Sequence, residues 1–263
     1  MKNNTSAIIG IGDSWTQGEG GYPEHIWTEN NGRMWKRLDE SKHLISIENE
    51  NSWVNRLALM LNSTPVNLGQ RAIGNRGAAR TLYLNDLSQY KNSTVVMLLS
   101  GFDRFDLFHK DWQTDHYKFS TLWPFRDDKE RNVFYLNNLY SEEAAAVETA
   151  CSILEAQTFA KANNFNFIFG NGFEMRGKEY FDNMCPTVSK QIDWDRYVHT
   201  HTDYTCFAQL LVRKDGLCAE TFEAVADYYP KMDWPAKYMT NDIHPTIEGY
   251  KVIAEEIRNI FYV

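Results

Sequence analysis

Near the start of this 263-residue chain, Ala7-Ile8-Ile9-Gly10-Ile11 makes a short β-branched run that stops at Gly12-Asp13-Ser14. An apolar run of this length bounded by glycine predicts a buried strand in a parallel sheet. Open α/β sheets place their ligands just beyond the C-terminal ends of such strands. A helix or tight turn over Trp15 to Gly18 would point the Ser14 amide outward, toward a developing negative charge. That is the placement a nucleophilic serine needs. Taken alone, the tripeptide reads first as a strand-to-loop turn in which Asp13 and Ser14 serve as an N-cap.

The other end of the chain changes that reading. Asn241-Asp242-Ile243-His244-Pro245 precedes an amphipathic pattern from Thr246 to Phe261, the final helix. A histidine two residues after an aspartate, and directly before Pro-Thr and a helix, is a candidate base with its own orienter. Together the two blocks resemble the SGNH (GDSL-type) hydrolase superfamily, which pairs Gly-Asp-Ser after the first strand with Asp-x-x-His-Pro before the last helix.

Between the blocks, strands and helices alternate. Helices are expected at Trp53–Leu61, with Trp53, Leu57, Met60 and Leu61 on one face, and at Gly77–Leu87, with Ala78, Leu82 and Leu84 available to pack. A third, capped by Ser141, should run from Glu142 to Asn163 with Val147, Ile153, Leu154 and Phe159. Strands are expected at Pro65–Leu68, Thr94–Leu99 and Asn166–Phe169. Alternation of this kind implies a parallel sheet covered on both faces. The fold expected is a flavodoxin-like, three-layer α/β/α sandwich in one domain, 1–263, with a mostly parallel central sheet of about five strands. Three insertions, 19–51, 102–140 and 170–238, follow strands 1, 3 and 4. The first should be a loop with a helical piece at Arg33–Leu38, and the third should hold helices near Asp203–Leu211 and Glu220–Ala226.

The resemblance implies an acyl-transfer site, which needs preorganised donors for an oxyanion. Family members take them from the serine amide, a glycine amide after strand two and an asparagine after strand three. Here Gly74 is the choice for the second donor, with Gly69 less suited and Ala72 in the glycine slot under other alignments. A glycine-rich turn capping the next helix is the alternative reading of this stretch. The third block reads Ser100-Gly101-Phe102-Asp103-Arg104, with no asparagine. Asn75 is the candidate replacement, and Ser100 or Arg104 could contribute. Ser100, Arg104 and Asp106 are similar to the form this block takes in some phage-encoded members, which suggests a viral source. The last block departs too: position −3 from His244 is Asn241, and the acid is Asp242 at −2. Asp242 either reaches Nδ1 through a different turn or is only a helix-approach residue beside a serine–histidine dyad.

The remaining composition narrows the alternatives. A formal net charge of −8 argues against a nucleic-acid partner, whose phosphates would be repelled. No apolar run reaches the length of a membrane span, and Met1 to Ser6 lacks the apolar core of a signal peptide, so a cytoplasmic or virion location is expected. Cys151, Cys185, Cys206 and Cys218 lack the close spacing of zinc or redox sites; they are expected to be free thiols, with Cys151 in packing. His199 and His201 form a His-x-His pair too weak for a metal site and are assigned to loop or surface. No cofactor and no metal are expected.

The resemblance therefore implies a serine esterase with Ser14 as nucleophile, His244 as base, Asp242 as orienter, and the amides of Ser14 and Gly74 with Asn75 as the oxyanion hole. Aromatic residues make up 14% of the chain, many of them in the insertions, and could stack on sugars. That points to O-acetylated carbohydrate as substrate. The missing asparagine and displaced aspartate support an alternative, a catalytically weak SGNH-like module used for binding or assembly, for instance in a virion.

Overall fold

The computed structural model describes residues 6–22, 27–30, 33–36, 41–110, 117–122, 130–217, 236–240 and 243–262. β1 (Ala7–Ile11) is buried along its whole length and ends at Gly12, whose φ of +149° turns the chain sharply into α1 (Ser14–Gln17). A side chain at Gly12 would strike the Leu98 carbonyl at 2.7 Å and Thr16 Oγ1 at 2.3 Å, so only glycine lets β1 end so abruptly.

The first insertion then forms a hairpin, β2 (Trp27–Asn30) with β3 (Arg33–Lys36), followed by α2 (Ser41–Asn51). A strand therefore occupies 33–36, where a helical piece was expected. Next come α3 (Trp53–Met60), β4 (Thr64–Asn67), α4 (Asn75–Leu84) and β5 (Thr94–Leu99). The second insertion holds another hairpin, β6 (Phe105–Lys110) with β7 (Tyr117–Leu122), and α5 (Glu130–Asn138). The chain continues through α6 (Glu142–Ala162), β8 (Asn166–Asn171), α7 (Lys178–Met184), α8 (Pro186–Ser189), α9 (Phe207–Lys214) and α10 (Ile247–Phe261). The helix expected at 220–226 lies outside the described residues.

The central sheet is all parallel, in the order β4-β1-β5-β8. Its described strands number four, against the five or so expected. Alternation along the strands divides the core into two layers. Ile9, Ile11, Val95, Met97, Leu99 and Phe169 face Ala78, Leu82, Ala146, Ile153 and Phe181 of α4, α6 and α7. Ile8, Val96, Leu98 and Ile168 face Trp53, Leu57, Phe207, Leu211, Tyr250 and Ile253 of α3, α9 and α10. Two helix positions expected to pack do not: Leu84 is 56% exposed and Val147 37% exposed.

Candidate active site

The site forms at the carboxyl edge of the sheet, where β1 hands over to α1. Asp13 caps α1, its Oδ1 accepting from the Trp15 amide at 3.1 Å. Its second oxygen accepts from Arg104 Nη1 at 2.8 Å in a buried ion pair, with the two side chains 2% and 6% exposed. The same guanidinium nitrogen donates to the Ile73 carbonyl at 3.3 Å. Ser14 comes directly after, 7% exposed, its amide in the first turn of α1 where no intrahelical partner is required.

His244 is brought to Ser14 by the turn before α10. Its Nε2 lies 2.9 Å from Ser14 Oγ, although the two residues are 230 positions apart. Thr240 holds this turn from both sides. Its amide donates to the His244 carbonyl at 2.8 Å, and its hydroxyl both donates to that carbonyl and accepts from the His244 amide. Ile243, between them, has φ +64°, a strained conformation for a β-branched residue of the kind that clusters at functional turns. Asn241 and Asp242 lie outside the described residues, so the expected orienter does too.

The loop after α1 packs against the same turn. Gly20 has φ +95°, and a side chain there would meet the Pro245 carbonyl at 2.6 Å and His244 Cβ at 2.8 Å. Next to it, Glu19 Oε2 lies 3.6 Å from His244 Nε2 and Oε1 lies 3.5 Å from Arg71 Nη1. Arg71 also pairs with Glu48, whose side chain is fully buried, and donates to Tyr22 Oη at 3.0 Å. Burial pushes the Glu48 carboxyl up, and the Arg71 guanidinium draws it back. Gln17 completes the cluster, donating to Glu48 Oε2 at 2.8 Å and accepting from the Arg71 amide at 3.0 Å. None of Glu19, Glu48 or Arg71 stood out in the sequence, because their spacing fits no motif and each is explained only by the others.

The two other oxyanion candidates are engaged elsewhere. The Gly74 amide donates to Asp106 Oδ1 at 2.9 Å. The Asn75 side chain, 3% exposed, accepts from the Ser100 amide at 2.8 Å and donates to the Ser100 carbonyl and Thr149 Oγ1, each at 3.3 Å. Asn75 thus pins the end of β5 to α6, and Gly74 belongs to the N-terminal cap of α4, as the turn-and-cap reading had it. Asp106 is the cap: besides Gly74 it accepts from the Gly77 amide at 2.7 Å and from Thr121 Oγ1 at 2.6 Å. Ala72 is the residue of this loop with the conformation of a glycine, φ +61°. The Gln70 amide on the Gly12 carbonyl, 3.0 Å, lays the same loop over α1.

The three residues resembling the phage-type block have separable places here: Arg104 ties the turn between β1 and α1, Asp106 caps α4, and Ser100 is gripped by Asn75. His199, expected in loop or surface, is in the core. Its ring lies against Tyr197, Tyr204 and Phe207, and Nε2 accepts from the Asn171 amide at 3.0 Å. Cys185 and Cys206 are free and buried, and Cys151, expected in packing, is free and exposed on α6. Among the described residues no group of histidine, cysteine and carboxylate side chains could hold a metal, and no helix is long and apolar enough to cross a membrane.

No protein-family model matches the sequence, and no curated protein does. Among solved structures, the chain path is similar to that of a protein assigned to the lipolytic G-D-S-L family from Desulfitobacterium hafniense DCB-2, at 14% identity over 97% of this chain and 98% of that one, with a TM-score of 0.49. A lipolytic G-D-S-L family member from Veillonella parvula DSM 2008 is similar at 12% identity over 97% of each chain, TM-score 0.39. A family two carbohydrate esterase from Clostridium thermocellum, in complex with cellohexaose, is similar at 16% identity over 97% of this chain and 64% of that one, TM-score 0.44. These are likenesses of chain path between remote sequences, and the chemistry has to be carried by this chain's own residues.

Proposed function

We propose that the protein is a serine hydrolase that cleaves carboxylic esters through an acyl-enzyme. The observation that carries this reading is the 2.9 Å contact between Ser14 Oγ and His244 Nε2 at the carboxyl edge of a parallel sheet. In the proposed cycle His244 takes the Ser14 proton as Oγ attacks the ester carbonyl, then returns it to the leaving alcohol; water repeats the sequence on the acyl-enzyme. Asp242 is the proposed orienter of the imidazole. The Ser14 amide is the first oxyanion donor and the Ala72 amide the second, taking over from Gly74, whose amide serves the α4 cap.

The substrate proposed is an O-acetylated carbohydrate. A cavity of about 270 Å³ lies beside the Arg104 that holds Asp13, lined by Phe102, Phe105, Tyr135 and Leu139 with Arg104 and Glu148 as its charged members. The Phe105 and Tyr135 rings stack at 5.6 Å, which suits the apolar face of a sugar with hydroxyls directed at the charges.

A second reading, a binding module of little activity, is favoured by the engagement of the Asn75 amide and by the buried Phe102 in the third block. One experiment separates the two. Wild type is expected to react with a fluorophosphonate probe and to release acetate from p-nitrophenyl acetate and acetylated xylan, with Ser14→Ala losing at least a hundredfold in each. Labelling that persists in Ser14→Ala would eliminate the hydrolase, and absence of both labelling and turnover in wild type would favour the binding module.

A further inference from the structure

Glu19 approaches His244 on the reacting nitrogen. In a Ser-His-Asp arrangement the orienting acid sits on Nδ1; here Oε2 of Glu19 is 3.6 Å from Nε2, the nitrogen that also meets Ser14 Oγ. The two side chains are 18% and 19% exposed, so water screens their interaction less than it would at an open surface. The Glu19 backbone is fixed at both ends: its amide donates to the Ser14 carbonyl at 3.0 Å, and its carbonyl accepts from Tyr250 Oη at 2.6 Å. Its carboxylate is steadied from behind by Arg71, which Glu48 and Tyr22 hold in turn. Among the described residues, Glu19 stands at the ring, with Arg71 and Glu48 behind it.

We propose that Glu19 is a positioning residue for His244, its carboxylate facing Nε2 and stabilising the imidazolium formed when Ser14 gives up its proton. This rests on the hydrolase reading above. In the step concerned, the Ser14 O–H bond breaks and its proton goes to the Nε2 lone pair. The Oγ electron pair forms the bond to the ester carbon, and the carbonyl π pair moves to oxygen. Glu19 takes no proton. Its charge interacts strongly with the imidazolium and weakly with neutral imidazole, so it favours the charged side of the step, which is the condition for lowering a barrier. Arg71 offsets part of that charge, and Glu48 in turn offsets Arg71, which leaves the Glu19 carboxylate effective toward the ring.

The test reads His244 directly, by NMR titration of its ring in wild type, Glu19→Gln, Glu19→Asp and the surface control Glu50→Gln, alongside the pH profile of fluorophosphonate labelling. Glu19→Gln is expected to weaken the proton affinity of His244 roughly tenfold, and the acid limb of labelling should move to lower pH by the same factor. Glu19→Asp, which keeps the charge, should show a smaller change, and Glu50→Gln none. An unchanged His244 titration in Glu19→Gln, or equal shifts in the Gln and Asp variants, would overturn the proposal. A shifted titration in a protein that never labels would instead remove the hydrolase reading while the pairing of Glu19 with the imidazolium stands.

Discussion

His199 shows what a buried ring costs as pH changes. Desolvation drives its pKa from the ordinary 6.5 to about 3, and the Asn171 carbonyl, 3.2 Å from Nε2 and able to accept from the protonated ring, works the other way. The folded protein therefore keeps this imidazole neutral at pH values where the unfolded chain protonates it. Between about 6.5 and about 3 the unfolded state binds more protons, so this residue's contribution falls as the pH drops through that window. The limiting slope is about 1.4 kcal/mol per pH unit. In His199→Gln, urea unfolding measured across that range should show a flatter acid limb than wild type, together with a lower midpoint at neutral pH from lost ring packing. The same residue shows a limit of motif reading. His-x-His at 199 and 201 sits among polar residues on its C-terminal side, and the Tyr197, Tyr204 and Phe207 rings that bury His199 are brought around it only by the fold.

At the scale of elements, the second insertion does structural work on α4. Asp106 reaches from β6 to the α4 N-terminus and satisfies two amides that have no partner within the helix, those of Gly74 and Gly77. Asp106→Ala would leave both donors buried, at a cost of about 3 kcal/mol. The expected result is a lower urea midpoint at unchanged m-value. β5, α3, α6 and α10 were legible because runs such as Thr94–Leu99, or Ser141 before an alanine-rich stretch, state strand or capped helix within a few residues. The hairpins were not. Their strands pair only within each hairpin, β2 with β3 and β6 with β7, and stand apart from the central sheet, so they lack the continuous apolar run that marks a buried strand. The charged cluster was opaque for a related reason: positions 17, 19, 48 and 71 come from three separate segments, and only the fold makes them neighbours.

Across the whole molecule, the two core layers bear differently on the site. Ile153 of α6 and Ile253 of α10 are both fully buried, one on each side of the sheet. Truncation of either to alanine should cost about 3 to 4 kcal/mol, read as the loss in unfolding free energy. Only Ile253→Ala should also slow fluorophosphonate labelling of the folded protein, because α10 carries the turn that sets His244 against Ser14. Equal labelling rates in the two variants would show that the turn keeps its place independently of the helix behind it. The distance of 230 positions between hydroxyl and imidazole has a further consequence during synthesis. A ribosome has made β1 and its serine long before it reaches the histidine, so a nascent or prematurely terminated chain holds the hydroxyl without its imidazole partner. Under the proposed mechanism, chemistry at Ser14 would be withheld until translation has passed His244, and unfinished copies of the protein would be born inert.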